Sequence, residues 1–309
     1  MKDKLNTKNG IDTIDEVYAI QSFKTHGYFN LVNNYKEDIS TIQESDSLDI
    51  DDLLAIREID NDLQSLIFKY LIQIETTLKS HLSYLMAEKF GVNKEEYTNK
   101  INYNNHISAE ELFKKIENKD HIDFKKNPAK HYLQKHNNIP PWVYLKHIPL
   151  GDTKNIFKAL KNKDKIYIID EMMPFISNQQ DAFKLQCFKE HLDLIHDFRN
   201  SIAHGGRLLN YVSIKKVQAQ HYTQLVSKPV LSNKNIKQYD KRLYQLLLTI
   251  IIMINDEYLR EKFIAEIDSL YKYFTNTKGN YFTDIFLEVS RLPNDFIYRL
   301  ILTKKDITS

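Results

Sequence analysis

Residues 183–211 read FKLQCFKEHLDLIHDFRNSIAHGGRLLNY, and the spacing of apolar residues in this stretch points to the class of the fold. Leu185, Phe188, Leu192, Ile195, Phe198 and Ile202 recur every three or four residues, the period of a helix with one buried face. Gly205 and Gly206 follow, and glycine supplies the left-handed backbone with which helices commonly end, so His204 is expected in the last turn. Steps of four place His196, Asn200 and His204 on one stripe. Arg199 lies one residue round and is long enough to reach the same spot.

That grouping has a chemistry. The partial negative charge at a helix C-terminus favours protonated imidazole, which suits a histidine at that place to proton transfer. A guanidinium beside it offers a planar fork suited to a phosphate or a phosphorane. One imidazole can take the proton of a ribose 2′-OH or give one to a departing 5′-oxygen, while the arginine neutralises charge growing on the phosphorus oxygens. No metal and no cofactor is needed for that reaction. The same residues also fit a plain structural role, a polar helix end in which Arg199 and Asn200 tie neighbouring helices together.

A second helix is longer still. Over residues 53–90, Ile56, Ile59, Leu63, Leu66, Tyr70, Ile74, Leu78, Leu82 and Leu85 keep helical spacing up to Gly91, with Asp49, Asp51 or Asp52 available as the cap. Only 7 Gly and 7 Pro punctuate 309 residues, too few for a turn-rich β protein, so the fold class is all-α. Glu75 in this helix has two candidate partners: Arg199 across a helix pair, which it would orient, or Lys79 four residues on.

Elsewhere the pattern is coarser. Residues 14–35 hold one helical run broken near Gly27 and the aromatic cluster Tyr28, Phe29 and Tyr35. Residues 91–139 are polar, with helical stretches at 109–116 and 129–136, and read as an excursion from the core; His106, His121, His131 and His136 lack the partners of a metal site and read as surface residues. Pro140-Pro141 stops any helix from running through, Asp152 or Thr153 can cap a helix reaching Leu160, and a helix pair spans 167–175 and 181–204. Residues 236–274 return to helix around the apolar run LLLTIIIMI at 246–254, which is too short for a bilayer needing about 20 residues and reads as a helix buried on all sides. Residues 285–302 form a last amphipathic stretch around Leu292-Pro293. The single Cys187 reads as a small buried thiol, and no signal peptide is evident, so a cytoplasmic, non-membrane protein is expected.

The net charge of +2 conceals an asymmetry: residues 37–62 carry ten acids against one base. Residues 146–165 carry six Lys against two Asp, and residues 213–242 seven bases against one acid. Lys154, Lys158, Lys161, Lys215 and Lys216 in these stretches are therefore candidate contacts to a polyanion such as RNA, or else a solvated face.

Arg199-Asn200-Ser201-Ile202-Ala203-His204 resembles the R-x(4–6)-H motif of HEPN ribonucleases, and the longer RNSIAHGGRLLN, with Arg207 and Asn210, resembles bacterial abortive-infection (Abi) proteins of the AbiD/AbiF type. IDNDLQSLIFKYLIQIETTLKSHL resembles the family's long helix around Ile74-Glu75, with Gln64 and Lys79 where arginines are usual. The stretch from Trp142 resembles a further family segment, with Lys146 in place of an acid, and residues 26–35 match an aromatic element loosely, with Asn30 in place of Arg. The resemblance implies a HEPN-like helical bundle with N- and C-terminal helical extensions. Its parts would be an N-terminal element and acidic linker at 1–48, a core at 49–275 with a polar insertion at about 91–140, and a tail at 276–309. It implies an anti-phage effector that cleaves RNA, with Arg199, Asn200 and His204 catalytic and His196, Glu75 and Arg207 auxiliary. Such ribonucleases combine two motifs in one site, so one motif per chain implies a homodimer. A structured non-coding RNA is a further implied partner, restraining the protein as an antitoxin does a toxin. A non-catalytic RNA-binding module and a helical protein-interaction scaffold are the alternatives.

Overall fold

The described residues are all-α apart from an isolated antiparallel bridge between Tyr103 and Leu160 and a two-residue parallel pair, β1 (Ile11–Asp12) with β2 (Leu48–Asp49), which brackets α1 (Glu16–His26) and a π-helical turn at Phe29–Asn33. This computed structural model describes residues 11–12, 16–33, 35, 48–104, 109–119, 123–231 and 241–308; the expectations placed on the first ten residues, on the acidic stretch up to residue 47 and on His106 and His121 lie outside them. Gly27, at φ 78°, turns the chain after α1 as its position predicts. Of the aromatic cluster, Tyr35 is buried and Tyr28 packs edge-on to Phe23, whereas Phe29 is exposed.

The central element is α2 (Ile50–Lys89), 40 residues and about 60 Å long at 1.5 Å per residue. Asp51 and Asp52 sit in its first turn, where they complement the helix dipole, and Gly91 at φ 108° closes its end by donating from its backbone N–H to Met86 O at 3.1 Å. Its apolar stripe from Ile56 to Leu85 is buried except at Leu66, which is partly exposed, and Ile67 and Leu71 widen the buried face.

The insertion holds α3 (Ala109–Glu117) and α4 (Ala129–His136), close to the expected bounds. His131 and His136 are exposed, as expected, but Tyr97, Tyr103 and Phe113 are buried; Tyr97 and Phe113 meet Tyr144 edge-on, and Tyr103 meets Phe113 in the same way. The hydroxyls of Tyr97 and Tyr103 donate to the carbonyls of Ile139 and Tyr97, both at 2.7 Å, so these rings are buried with their polar ends satisfied. The segment thus shares the core through its aromatics and exposes its charges.

Pro141 opens α5 (Pro141–His147), and Pro149 caps α6 (Leu150–Ala159). The second of these differs from the expected cap: Asp152 lies inside the helix, buried against Lys119 at 2.5 Å, because the preset φ of a proline starts a helix without a side-chain acceptor. Next come α7 (Asn162–Met172) and α8 (Asp181–Ala203). The expected helix over 236–274 is two: α9 (Leu243–Met253), buried along its whole length, and α10 (Glu257–Ser290). Asp256 separates them by accepting from Leu259 N at 2.7 Å as the cap of α10, and buried Arg260 donates back to the carbonyls of Ile251 and Ile254 at the end of α9. Helix α10 kinks at Gly279 and ends at Arg291; Leu292-Pro293 then leads into α11 (Phe296–Thr308). Helices α5, α7, α8, α9 and α10 all pack on α2, which positions the end of α8 against its first half. No helix among the described residues is long and apolar enough to cross a membrane.

Candidate functional site

The end of α8 is a Schellman closure: Gly206 N donates to Ser201 O at 2.9 Å and Gly205 N, at φ 73°, to Ile202 O at 3.0 Å. A Cβ on Gly206 would lie 2.6 Å from Ser201 Oγ, so the tight turn requires both glycines. His204 is the residue between helix and turn; its backbone N–H bonds Asn200 O at 3.1 Å and its side chain is exposed.

One turn earlier Arg199 leans on α2. Its Nε lies 3.4 Å from Glu75 Oε2, and Lys79 Nζ lies 2.7 Å from the other oxygen, Oε1, so both expected partners of Glu75 are present at once. Glu75 is 6% exposed, which makes the arrangement a buried carboxylate between two cations rather than a solvated i,i+4 pair. The Arg199 N–H is not aligned on the oxygen, and the contact is Coulombic. Lys79 is itself fixed by Ile148 O at 2.7 Å.

His196 has neighbours on both ring nitrogens: Lys154 Nζ at 3.0 Å from Nδ1 and the Asn200 amide at 3.1 Å from Nε2. Burial, then Lys154, push its pKa below the usual histidine value. A neutral imidazole has one acceptor, so it takes a hydrogen bond from Lys154 or from Asn200 but not from both; Lys154 is also paired with Asp193 at 2.8 Å. The Asn200 amide presents Nδ2 to Nε2 and turns Oδ1 towards Arg199. Gly151 lets α6 approach this closely, since a Cβ there would stand 3.0 Å from His196 Nε2. Arg199 Nη1 reaches the Asn200 amide only at 3.5 Å. Glu75, Arg199, Asn200 and His196 thus form one group. Among the described residues no hydrogen bond or ion pair joins the His204 ring to it, and that ring faces solvent one turn further on.

The segment after the turn is pinned by two carboxylates that the sequence did not single out. Asp60 of α2 is fully buried and accepts from Leu208 N at 3.0 Å, Leu209 N at 3.0 Å and Tyr35 Oη at 2.5 Å. Burial raises its pKa, and the donors, Gln64 included, counter that. Asp197 of α8 accepts from Tyr211 Oη at 2.9 Å and Ser213 Oγ at 2.6 Å. Asp60 was legible in principle, since it falls on the apolar stripe one residue after Ile59, where an unpaired acid is costly. Of the outer motif residues, Arg207 is half-buried and Asn210 accepts from Arg242 Nη1 at 2.6 Å.

The candidate RNA-contacting lysines separate. Lys215 and Lys216 are exposed just beyond the motif, and Lys158 is part-exposed while reaching Asp193 at 3.4 Å. Lys161 donates to Ile101 O. Lys154 differs from the surface cation expected of it: it is buried and bound to Asp193 and His196, which places it among the residues that hold the ring. Beside the end of α8 an open groove of about 340 Å³ runs between Asn61, Gln64, Ser65 and Phe68 of α2 and Ile202 and Ala203.

A family model described as Abi-like protein matches residues 21–210, from within α1 to the last residue of the extended motif. No curated protein and no solved structure matches the chain.

Proposed function

We propose that this chain, which belongs to the Abi-like protein family, acts in abortive infection as a metal-independent endoribonuclease, with α2 and α8 the core of a HEPN-like bundle. The observation that carries the proposal is Arg199 held by buried Glu75 one turn before a solvent-facing His204. A cation fixed by a buried carboxylate costs little reorganisation when charge develops beside it, and an exposed imidazole is free to meet substrate. Because each chain supplies one Arg199 and one His204, two copies brought together would give two of each. One imidazole takes the proton of the ribose 2′-OH as the 2′-oxygen bonds to phosphorus; the other gives a proton to the 5′-oxygen as its bond to phosphorus breaks. The products are a 2′,3′-cyclic phosphate and a 5′-OH, and the arginines stabilise the phosphorane between them. Asn200 links Arg199 to the neutral His196, which makes His196 a positioning residue. The open groove between α2 and the end of α8, lined by Ile202 and Ala203, is the surface this reading assigns to a second copy.

A second reading, a non-catalytic module that holds a structured RNA, draws support from Lys215 and Lys216, exposed at the motif's edge. Phage challenge of cells carrying the protein separates the two. Nuclease action predicts protection by the wild type that is lost in His204→Ala and in Arg199→Ala at equal protein level. Equal protection by all three would remove these residues from the function. Sedimentation of the purified protein is expected to show a dimer, and a strict monomer with and without RNA would overturn the shared site.

A further inference from the structure

The cleft where α6 and α7 meet the first half of α8 is built from two kinds of surface. Phe157, Leu185 and Leu192 make an apolar floor, and Lys158, Lys165 and Lys189 stand at its edge. Phe157 is itself backed by Phe188, ring centroid to ring centroid 5.1 Å. Among the described residues, Lys165 and Lys189 make no ion pair. Lys165 is half-buried, and burial alone holds its ammonium below the usual lysine value, with no carboxylate to offset the cost. Three positive groups around an apolar floor, two of them without a counter-charge, describe a seat for a ligand that is flat and apolar on one side and anionic on the other.

The rim narrows the class. Asn162 lines the mouth, and Gln186 does so with its Nε2 donated to Glu190 at 2.8 Å, which leaves the amide oxygen of Gln186 as an acceptor. Amides placed beside an apolar slot can read the edge of a heteroaromatic ring, for which an alkyl carboxylate has no counterpart. The cavity holds about 220 Å³, below the usual range for drug-sized ligands, which suits one ring with its charged group outside and not a stack of several. We propose that this cleft binds a single nucleotide, the base on Phe157, Leu185 and Leu192 and the phosphate among Lys158, Lys165 and Lys189. The nucleotide is either free or one unit of a strand, and the site stands apart from the Arg199–His204 motif, so it does not depend on cleavage.

Calorimetric titration of the full chain tests the site with AMP, adenosine, inorganic phosphate and a tetradeoxyadenylate, the last having no 2′-OH for a ribonuclease to use. Saturable binding of AMP or of the tetranucleotide, with adenosine and phosphate each at least tenfold weaker, is the expected result; whichever of the first two binds more tightly identifies the source as free nucleotide or strand. Lys165→Gln and Lys189→Gln should each weaken binding roughly tenfold, as loss of one charge-assisted contact does, with an unchanged melting temperature, and Lys165→Arg should retain it. The site is overturned if neither nucleotide probe binds at millimolar concentration, if phosphate alone binds as tightly as AMP, or if the glutamine variants bind as wild type does.

Discussion

Replacing Asp60 by alanine should destabilise the protein more than any other single change at the motif. The carboxylate serves three donors that water cannot reach: Leu208 N–H, Leu209 N–H and the Tyr35 hydroxyl, on residues at most 3% exposed. Alanine orphans all three at roughly 1–3 kcal/mol each. Against this, the variant is relieved of burying a charge, the largest influence on Asp60. A net loss of about 3–5 kcal/mol is expected, a large part of the roughly 5–15 kcal/mol that holds a domain folded. At about 2 °C per kcal/mol for a chain of this length, the melting temperature should fall by about 6–10 °C. Asp60→Asn keeps shape and acceptor while removing the charge, and should cost only about 1–2 kcal/mol. It should also remove a pH dependence: a carboxyl whose folded pKa is raised contributes stability below its unfolded value and loses it as pH rises through the folded one. Thermal unfolding followed by far-UV circular dichroism reads both variants. An alanine variant within about 1 kcal/mol of wild type, or an asparagine variant as damaged as the alanine, would refute the role given to Asp60 in holding the loop after His204.

Three further outcomes follow from the same geometry. Glu75→Gln keeps an acceptor for Lys79 but removes the charge facing Arg199, so RNA cleavage should fall roughly 10²-fold, the cost of misplacing a reacting group, with little change in melting temperature; unchanged cleavage would show that Glu75 does not orient Arg199. His191 is fully buried against Thr249, and burial pushes its pKa down to about 3, so it contributes stability above its unfolded value of 6.5 that is lost as pH falls from there towards about 3. Unfolding free energies from urea titrations at pH 7, 5.5 and 4 should fall by about 3 kcal/mol in all, and His191→Gln should flatten that part of the slope. Cys187 is buried with its thiol pushed up to about 12, so an aromatic disulfide reagent at pH 8 should label it only on unfolding; rapid native labelling would contradict its burial.

What could be read from the chain alone follows which forces are local. Helices α2 and α8 were legible because one apolar stripe and one glycine stop each determine them, and the bounds moved by no more than three residues. The proximity of Glu75 to Arg199 was legible as well, but not that Lys79 would share the same carboxylate, since nothing in spacing says that Lys79 also reaches Ile148 O. Asp60 is hidden by its company: counted with nine other acids it reads as part of a solvated run, although its place on the stripe of Ile56, Ile59 and Leu63 already turns it inward. Lys154 was misread for the opposite reason, a basic stretch concealing one member that Asp193 and His196 draw into the interior. The break at Asp256 escaped because an apolar run and an amphipathic helix join there without proline or glycine, and the cap alone separates them.

The most direct measurement is cleavage of end-labelled total RNA by the purified protein in EDTA, wild type beside His204→Ala and Arg199→Ala, with the product ends determined. The account predicts that wild type alone cuts, leaving 2′,3′-cyclic phosphate and 5′-OH ends. Cleavage that survives in His204→Ala, that stops in EDTA, or that leaves 3′-OH ends would contradict it.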